Sequence, residues 1–345
     1  MEPISTPFTE KLNIPSPIVL TPMAFGAHPS MAAIVSGAGG FGFVPVGLDT
    51  VDQIRQNLRD ARKALAVPDG APIPVGVGFV GWVLDITEAS DTPLIPAALA
   101  EKPKAILFAF GADLGKHIAT VRKHDAKRSD RLQTLIFVTV NSVEAALTAA
   151  NEWKVDVIVA QGIEAGGHGG SFAPPLFSLV PAILSALPAG HPPVLGSGGV
   201  STGAQVAALL ALGAAGAVVG TRFLFTPESV YTNEMKAELV KADFGSTTRG
   251  MMFDEVMDTM GWPPHHDGRA LINDIVHDSL KGVSLEERQR LFAEATEKKE
   301  TNRSIMWAGI GVGMTKEIKP TKDVLLELHS DAVKVLKGIP KLLKQ

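Results

Sequence analysis

The sequence predicts an α/β protein: a (β/α)8 TIM barrel over residues 1–225, with a helical C-terminal extension, residues 226–345, folded over the barrel mouth. Three observations carry this reading. Eight short apolar runs alternate with helix-like stretches through the first two thirds of the chain. The runs are nearly continuous in Val, Ile, Leu and Phe, as strands covered on both faces must be. Glycine-rich turns follow the seventh and eighth runs, where a barrel places its anion-binding loops. A doubly wound open sheet is the competing architecture, and the even spacing of eight units favours the barrel.

In order, the runs are 18–21, 41–46, 73–79, 105–110, 135–140, 156–160, 193–196 and 217–220. Between them, residues 52–66 carry Ile54, Leu58 and Leu65 on one side and Arg55, Arg59 and Lys63 on others, an amphipathic helix. Segments 143–153 and 202–212 are rich in Ala and Leu, each preceded by a residue suited to capping, Ser142 and Ser201. Beyond Phe225 the texture changes. Segments 228–243, 285–301 and 323–337 read as helices, the last with Val324, Leu325, Leu328, Val335 and Leu336 as its apolar positions. Segments 251–267 and 306–314 are apolar and rich in Met, Trp and Gly.

Composition removes several classes of function. The chain has no cysteine, which excludes a disulfide framework, a thiolate nucleophile, a cysteine-ligated zinc site and an iron–sulfur cluster. With 32 basic and 36 acidic residues the net charge is −4, and no run of one sign points to nucleic acid or an anionic membrane. The longest apolar run, 206–220, is too short to span a bilayer. The N-terminus is unlike a signal peptide, and the tail ending in Lys344 and Gln345 shows no lipidation or peroxisomal signal. A soluble, cytoplasmic protein is expected, with neither nucleic acid nor membrane as partner. Exposed apolar residues on the C-terminal helices suit a homodimer.

Four motifs bear on chemistry. Gly37, Gly39 and Gly42 match the spacing of a dinucleotide fingerprint, but they follow a helix and lead into a strand. That is the reverse of what the fingerprint requires, so they read as an ordinary turn. Gly196, Gly198 and Gly199 follow the seventh strand, and Gly220 and Thr221 follow the eighth. In a barrel these loops offer backbone N–H groups to a phosphate. The adjacent Arg222 reads as a buried structural ion pair, with phosphate neutralisation as the alternative. After the sixth strand comes Gln161, then Glu164, Ala165, Gly166, Gly167, His168, Gly169 and Gly170. A histidine between glycine pairs at the catalytic face can move a proton near neutral pH beside a flat ligand. Thr21, Pro22, Met23 and Ala24 close the first strand at the same mouth. Elsewhere, His265, His266 and Asp267 lack a spaced third ligand, so no metal site is expected. His117 and His124 lie on a helix with Lys116, Arg122 and Lys123 and read as surface residues.

The run from Gln161 to Gly170, with the strand-seven and strand-eight glycines and the stretch around Met306, Trp307 and Gly313, resembles the nitronate monooxygenases, formerly called 2-nitropropane dioxygenases. The resemblance covers most of the chain. It implies FMN at the C-terminal face of the barrel, with its phosphate on Gly198, Gly199, Gly220 and Thr221. Pro22, Met23 and Ala24 would meet the ring, and Gln161, Gly166 and Gly167 would line it. Thr139 would stand where relatives place a polar residue at the end of strand five, and His168 matches the catalytic base. Strand three, with Gly76, Gly78 and Phe79, lacks the asparagine of some relatives. The implied reaction is oxidative denitrification of alkyl nitronates, and of nitroalkanes, with O2 to a carbonyl compound and nitrite. His168 would take the α-proton of the neutral nitroalkane. Enoyl-carrier-protein and quinone reductases share the signature, so an NAD(P)H-dependent FMN reductase is the alternative. A barrel that binds a phosphorylated ligand without turnover is a second alternative.

Overall fold

A computed structural model describes residues 1–343; the tail at Lys344 and Gln345, read above for targeting signals, lies outside the described residues. The first nine strands are β1 (Ile18–Leu20), β2 (Phe41–Pro45), β3 (Ile73–Val80), β4 (Pro103–Ala109), β5 (Leu135–Val140), β6 (Val157–Gln161), β7 (Gly167–Gly170), β8 (Val194–Ser197) and β9 (Gly216–Val219). All but β7 close into a parallel barrel in chain order, β9 pairing back onto β1 through Ile18–Ala217, Val19–Val218 and Leu20–Val219. The eight apolar runs are these eight strands, displaced by at most two residues at either end.

Continuous hydrophobicity is explained by the two cores that the strands separate. Val19, Phe41, Phe43, Leu107, Phe137, Val159, Leu195 and Val218 point inward, and their neighbours Leu20, Val44, Val77, Ile106, Val138 and Ile158 lie under the outer helices. Inside, Phe43 meets Phe41 and Phe137 edge-on at centroid distances of 5.3 and 5.1 Å, a favoured aromatic geometry. The helix Pro7–Leu12 inserts Phe8 into this cluster. Its capping residue Thr6 donates to the Ala215 carbonyl at 2.7 Å, just before β9, so the helix closes the N-terminal end of the barrel. The opposite end remains open for a site.

Outer helices follow the expected pattern with local corrections. Val51–Ala64 starts in a capping box of Thr50 and Gln53 and buries Ile54, Leu58 and Ala61. Ser142 caps Val143–Asn151. The cap of Gly203–Ala211 is Thr202 rather than Ser201, whose hydroxyl instead donates to Gly311 O at 3.1 Å. His117 is not a surface residue. It lies on the buried face of Leu114–Asp125 with Leu114, Ile118 and Val121, and Nε2 is 2.9 Å from Asp85 Oδ1. Burial pushes the Asp85 carboxyl up, but Lys116 and His117 outweigh it and hold the group below its ordinary value.

The extension departs from expectation in two ways. It is not helical throughout: β10 (Thr247–Gly250) and β11 (His266–Leu271) join β7 in an antiparallel sheet of order β10–β11–β7. Nor does all of it lie over the mouth. The last helix, Thr321–Gly338, packs Val324, Leu325, Leu328 and Ala332 against the barrel's flank, on Gly203–Ala211 and Pro29–Gly37. Among the described residues no helix is long and apolar enough to cross a membrane.

Candidate active site

A cleft at the C-terminal end of the barrel holds about 1530 Å³, its open mouth included. Its lining comes from the C-terminal ends of the barrel strands together with Asp254, Met257, Thr259, Trp262, Trp307 and Gly311 of the extension. The twelve residues expected to hold the cofactor or to act as the base line the cleft: Pro22, Met23, Ala24, Thr139, Gln161, Gly166, Gly167, His168, Gly198, Gly199, Gly220 and Thr221.

The strand-seven and strand-eight loops meet the requirements of an anion. Gly198 and Gly199 take φ of +115° and +69°, conformations open mainly to glycine, and such turns gather backbone N–H groups into a concavity. The amides of Gly198, Gly199, Gly220 and Thr221 have no acceptor among the described residues. Arg222 does not form the structural ion pair expected of it. It is 5% exposed, and among the described residues no carboxylate lies within ion-pair distance and Nη1 has no hydrogen-bond partner. Burial lowers its pKa below the ordinary guanidinium value, and the more distant Glu327 and Glu317 oppose that shift. Its guanidinium does not line the cleft, and the charges that act on it are Glu327 on the last helix and Glu317 just before it. The strand-seven and strand-eight loops thus fit the phosphate of the expected cofactor.

The loop after β6 is fastened from both sides. Glu164 accepts from the Leu176 amide at 2.9 Å, capping the next helix. Gln161 Nε2 donates to His168 O at 3.1 Å, and Asn141 Nδ2 donates to Gln161 Oε1 at 3.0 Å. Gly309 N donates to Thr221 Oγ1 at 2.9 Å, and Ile310 N donates to Glu164 O at 3.1 Å. This approach is so close that a Cβ on Gly166 would fall 2.2 Å from Gly309 N.

His168 sits on β7, opposite Gly268 of β11. Its Nε2 is 2.9 Å from both carboxylate oxygens of Asp254. Asp254 is fully buried on the short helix Met252–Met257 and accepts further from Trp262 Nε1 at 2.8 Å and Thr259 Oγ1 at 3.0 Å, both on Oδ1. The imidazole stacks on Trp262, with centroids 3.4 Å apart and planes within 8°, and Trp307 lies across it at 4.7 Å. Since Nε2 donates to a carboxylate, the neutral ring keeps its lone pair on Nδ1. Nearby, burial raises the Tyr231 hydroxyl above its ordinary value, despite the bond it donates to Trp307 O at 3.3 Å.

Asp254, Thr259 and Trp262 escaped the sequence reading, and Trp307 entered it only as part of the stretch around Met306. The available signal was acidic residues inside the apolar stretch 251–267, but Asp254, Glu255 and Asp258 are equivalent there until folded. Of the remaining motif, Asp267 is engaged by Arg249 Nε at 2.7 Å, and His265 lies at φ +61° in the turn before β11.

A closed barrel, a phosphate-type glycine cradle and a carboxylate-held histidine over an aromatic-walled cleft define a flavin-dependent oxidoreductase. The family model described as nitronate monooxygenase matches residues 5–77 and 86–331. A nitronate monooxygenase of Neurospora crassa is 32% identical over 343 residues, covering 93% of this chain and 90% of that protein. One of Pseudomonas aeruginosa is 28% identical, covering 93% and 97%. The chain belongs to the nitronate monooxygenase family. Among solved structures, a nitroalkane oxidase from Streptomyces ansochromogenes superposes with a TM-score of 0.75 at 25% identity, covering 96% of this chain and 99% of that one. FabK from Thermotoga maritima shares the fold, with a TM-score of 0.78 at 23% identity and coverage of 99% and 100%.

Proposed function

We propose that the protein oxidises alkyl nitronates, and neutral nitroalkanes after deprotonation, to carbonyl compounds and nitrite with FMN and O2. The observation that carries this reading is the His168–Asp254 dyad in a cleft whose floor offers free glycine amides. FMN, when bound, supplies the one-electron acceptor and the link to oxygen. In this reading the barrel, residues 1–225, holds the cofactor and the extension, residues 226–345, completes the substrate side.

The roles of the chain's own residues follow. The amides of Gly198, Gly199, Gly220 and Thr221 hold the phosphate, and Pro22, Met23, Ala24, Thr139, Gln161, Gly166 and Gly167 border the ring. A nitroalkane enters beside His168. Its α-C–H bond breaks, the proton passes to Nδ1, and the electron pair is delocalised onto the nitro group as the nitronate. Asp254 fixes the tautomer and balances the imidazolium charge. Trp262, Trp307 and Met257 line the same cleft and keep water from the proton-transfer site. With a preformed nitronate the proton transfer is unnecessary, and His168 hydrogen-bonds the nitro group.

The test is the purified flavoprotein mixed anaerobically with ethyl nitronate and, separately, with NADH and NADPH. Flavin bleaching by the nitronate, little response to the nicotinamides and nitrite release on admitting air are expected. Rapid bleaching by NADH or NADPH with none by nitronate would move the protein to the reductases.

A further inference from the structure

The family match omits residues 78–85, and Gly78, Phe79, Val80, Trp82 and Val83 of that stretch line the cleft. Those residues form one wall of the site. That wall is apolar, and Leu48 and Met257 extend it. Among the described residues no lysine or arginine lines the cleft, and its one carboxylate is Asp254. Phe25 and Leu48 line it while remaining 61% and 62% exposed, so they form an apolar rim. Phe25 takes φ +63°, a strained conformation for a bulky residue of the kind that clusters at functional sites.

Resting on the nitronate reading, we propose that the site selects substrates whose portion beyond the nitro-bearing carbon is uncharged and apolar, and rejects those with a carboxylate or phosphate there. An anionic tail would give up its hydration with no cation to replace it. It would also face the charge of Asp254. An apolar tail gains instead, about three- to fourfold in kcat/KM per added methylene until it reaches the Phe25–Leu48 rim.

The deciding comparison uses the holoprotein and two nitronates of one shape: propionate 3-nitronate, and the anion of 3-methyl-1-nitrobutane, in which an isopropyl group replaces the carboxylate. At least about tenfold higher kcat/KM is expected for the uncharged tail. Leu48→Arg should narrow that ratio by improving propionate 3-nitronate, with flavin content unchanged. Equal or better use of propionate 3-nitronate by the wild type overturns the proposal, and an unchanged ratio in Leu48→Arg counts against charge as its cause. If neither nitronate is oxidised the catalytic reading fails, yet selectivity is still measurable as binding. Three of the four tryptophans, Trp82, Trp262 and Trp307, line the cleft, so their fluorescence reports titration with 1-nitrohexane and with 6-nitrohexanoate. Tighter binding of nitrohexane is expected, and equal affinities overturn the proposal on their own.

Discussion

Replacing Asp254 with asparagine isolates the base function of His168 with little change in shape. The carboxylate uses Oδ1 for Trp262 and Thr259 and shares His168 between its two oxygens. An amide keeps the oxygen for Trp262 and Thr259 and turns its NH2 toward His168. The imidazole must then accept at Nε2, which moves its proton to Nδ1 and removes the lone pair that takes the α-proton. General-base catalysis is worth about 10²- to 10⁴-fold, or roughly 3–5 kcal/mol of barrel-site transition-state stabilisation at 1.36 kcal/mol per decade. Asp254→Asn should therefore lose about that factor in kcat/KM for 1-nitropropane. Its turnover of the preformed nitronate should fall by less than about tenfold, because no proton has to leave carbon. Exchanging one charge-assisted hydrogen bond for a neutral one costs about 1–2 kcal/mol of stability, so the variant should fold and retain flavin. The assay is nitrite release from both substrates at matched flavin concentration. Wild-type efficiency on 1-nitropropane, or an equal loss on both substrates, would refute the tautomer argument.

His168→Asn should keep its flavin and lose activity on neutral nitroalkanes in the same selective way; near-normal turnover by it would remove His168 as the base. Gly198→Ala forces a side chain onto φ +115° and should lower FMN affinity at least about tenfold, read as flavin lost on gel filtration. Gly268→Ala puts a Cβ 2.3 Å from Trp307 Cζ3 and 3.1 Å from His168 Nε2, so turnover should drop while the circular dichroism of the barrel is kept. His329 is buried between Ser16 Oγ at 3.0 Å and Glu2 O at 2.7 Å, and burial holds its pKa below the ordinary histidine value. The neutral form is thus favoured on folding, and this stability is complete above about pH 6.5 and lost as pH falls below it. Tm should decline between pH 7 and pH 5 more steeply in the wild type than in His329→Gln; parallel declines would contradict this.

Much of the barrel was legible because strands buried on both faces leave a mark that needs no partner: runs such as 105–110 and 135–140 are apolar at nearly every position. His168 was legible for a similar reason, since flanking glycines leave a reactive side chain without competing packing. β10 and β11 left no such mark. Their residues, Thr247 to Gly250 and His266 to Leu271, are largely polar and do not alternate, because these strands are held by pairing, β10 to β11 and β11 to β7, rather than by a hydrophobic face. Asp254 was hidden with them, since its role depends on where that sheet carries the following helix. The misreading of His117 has another cause. Basic neighbours on a helix suggested solvent, but its place one turn from Leu114 and Val121 puts it on the inner face, where Asp85 meets it.

The pairing of β7 with β11 has a consequence for the order of events during synthesis. All eight barrel strands have been made once Val219 is added, whereas Asp254, Gly268 and Trp307 come later in the chain. The 35 residues from Val219 to Asp254 take on the order of 2–7 s at ordinary translation rates. During that interval the histidine strand has no neighbour and its carboxylate is still unmade. The carboxylate that holds His168 is therefore added only after the last barrel strand, and a chain interrupted before Asp254 has all eight strands of the barrel but no partner for its base.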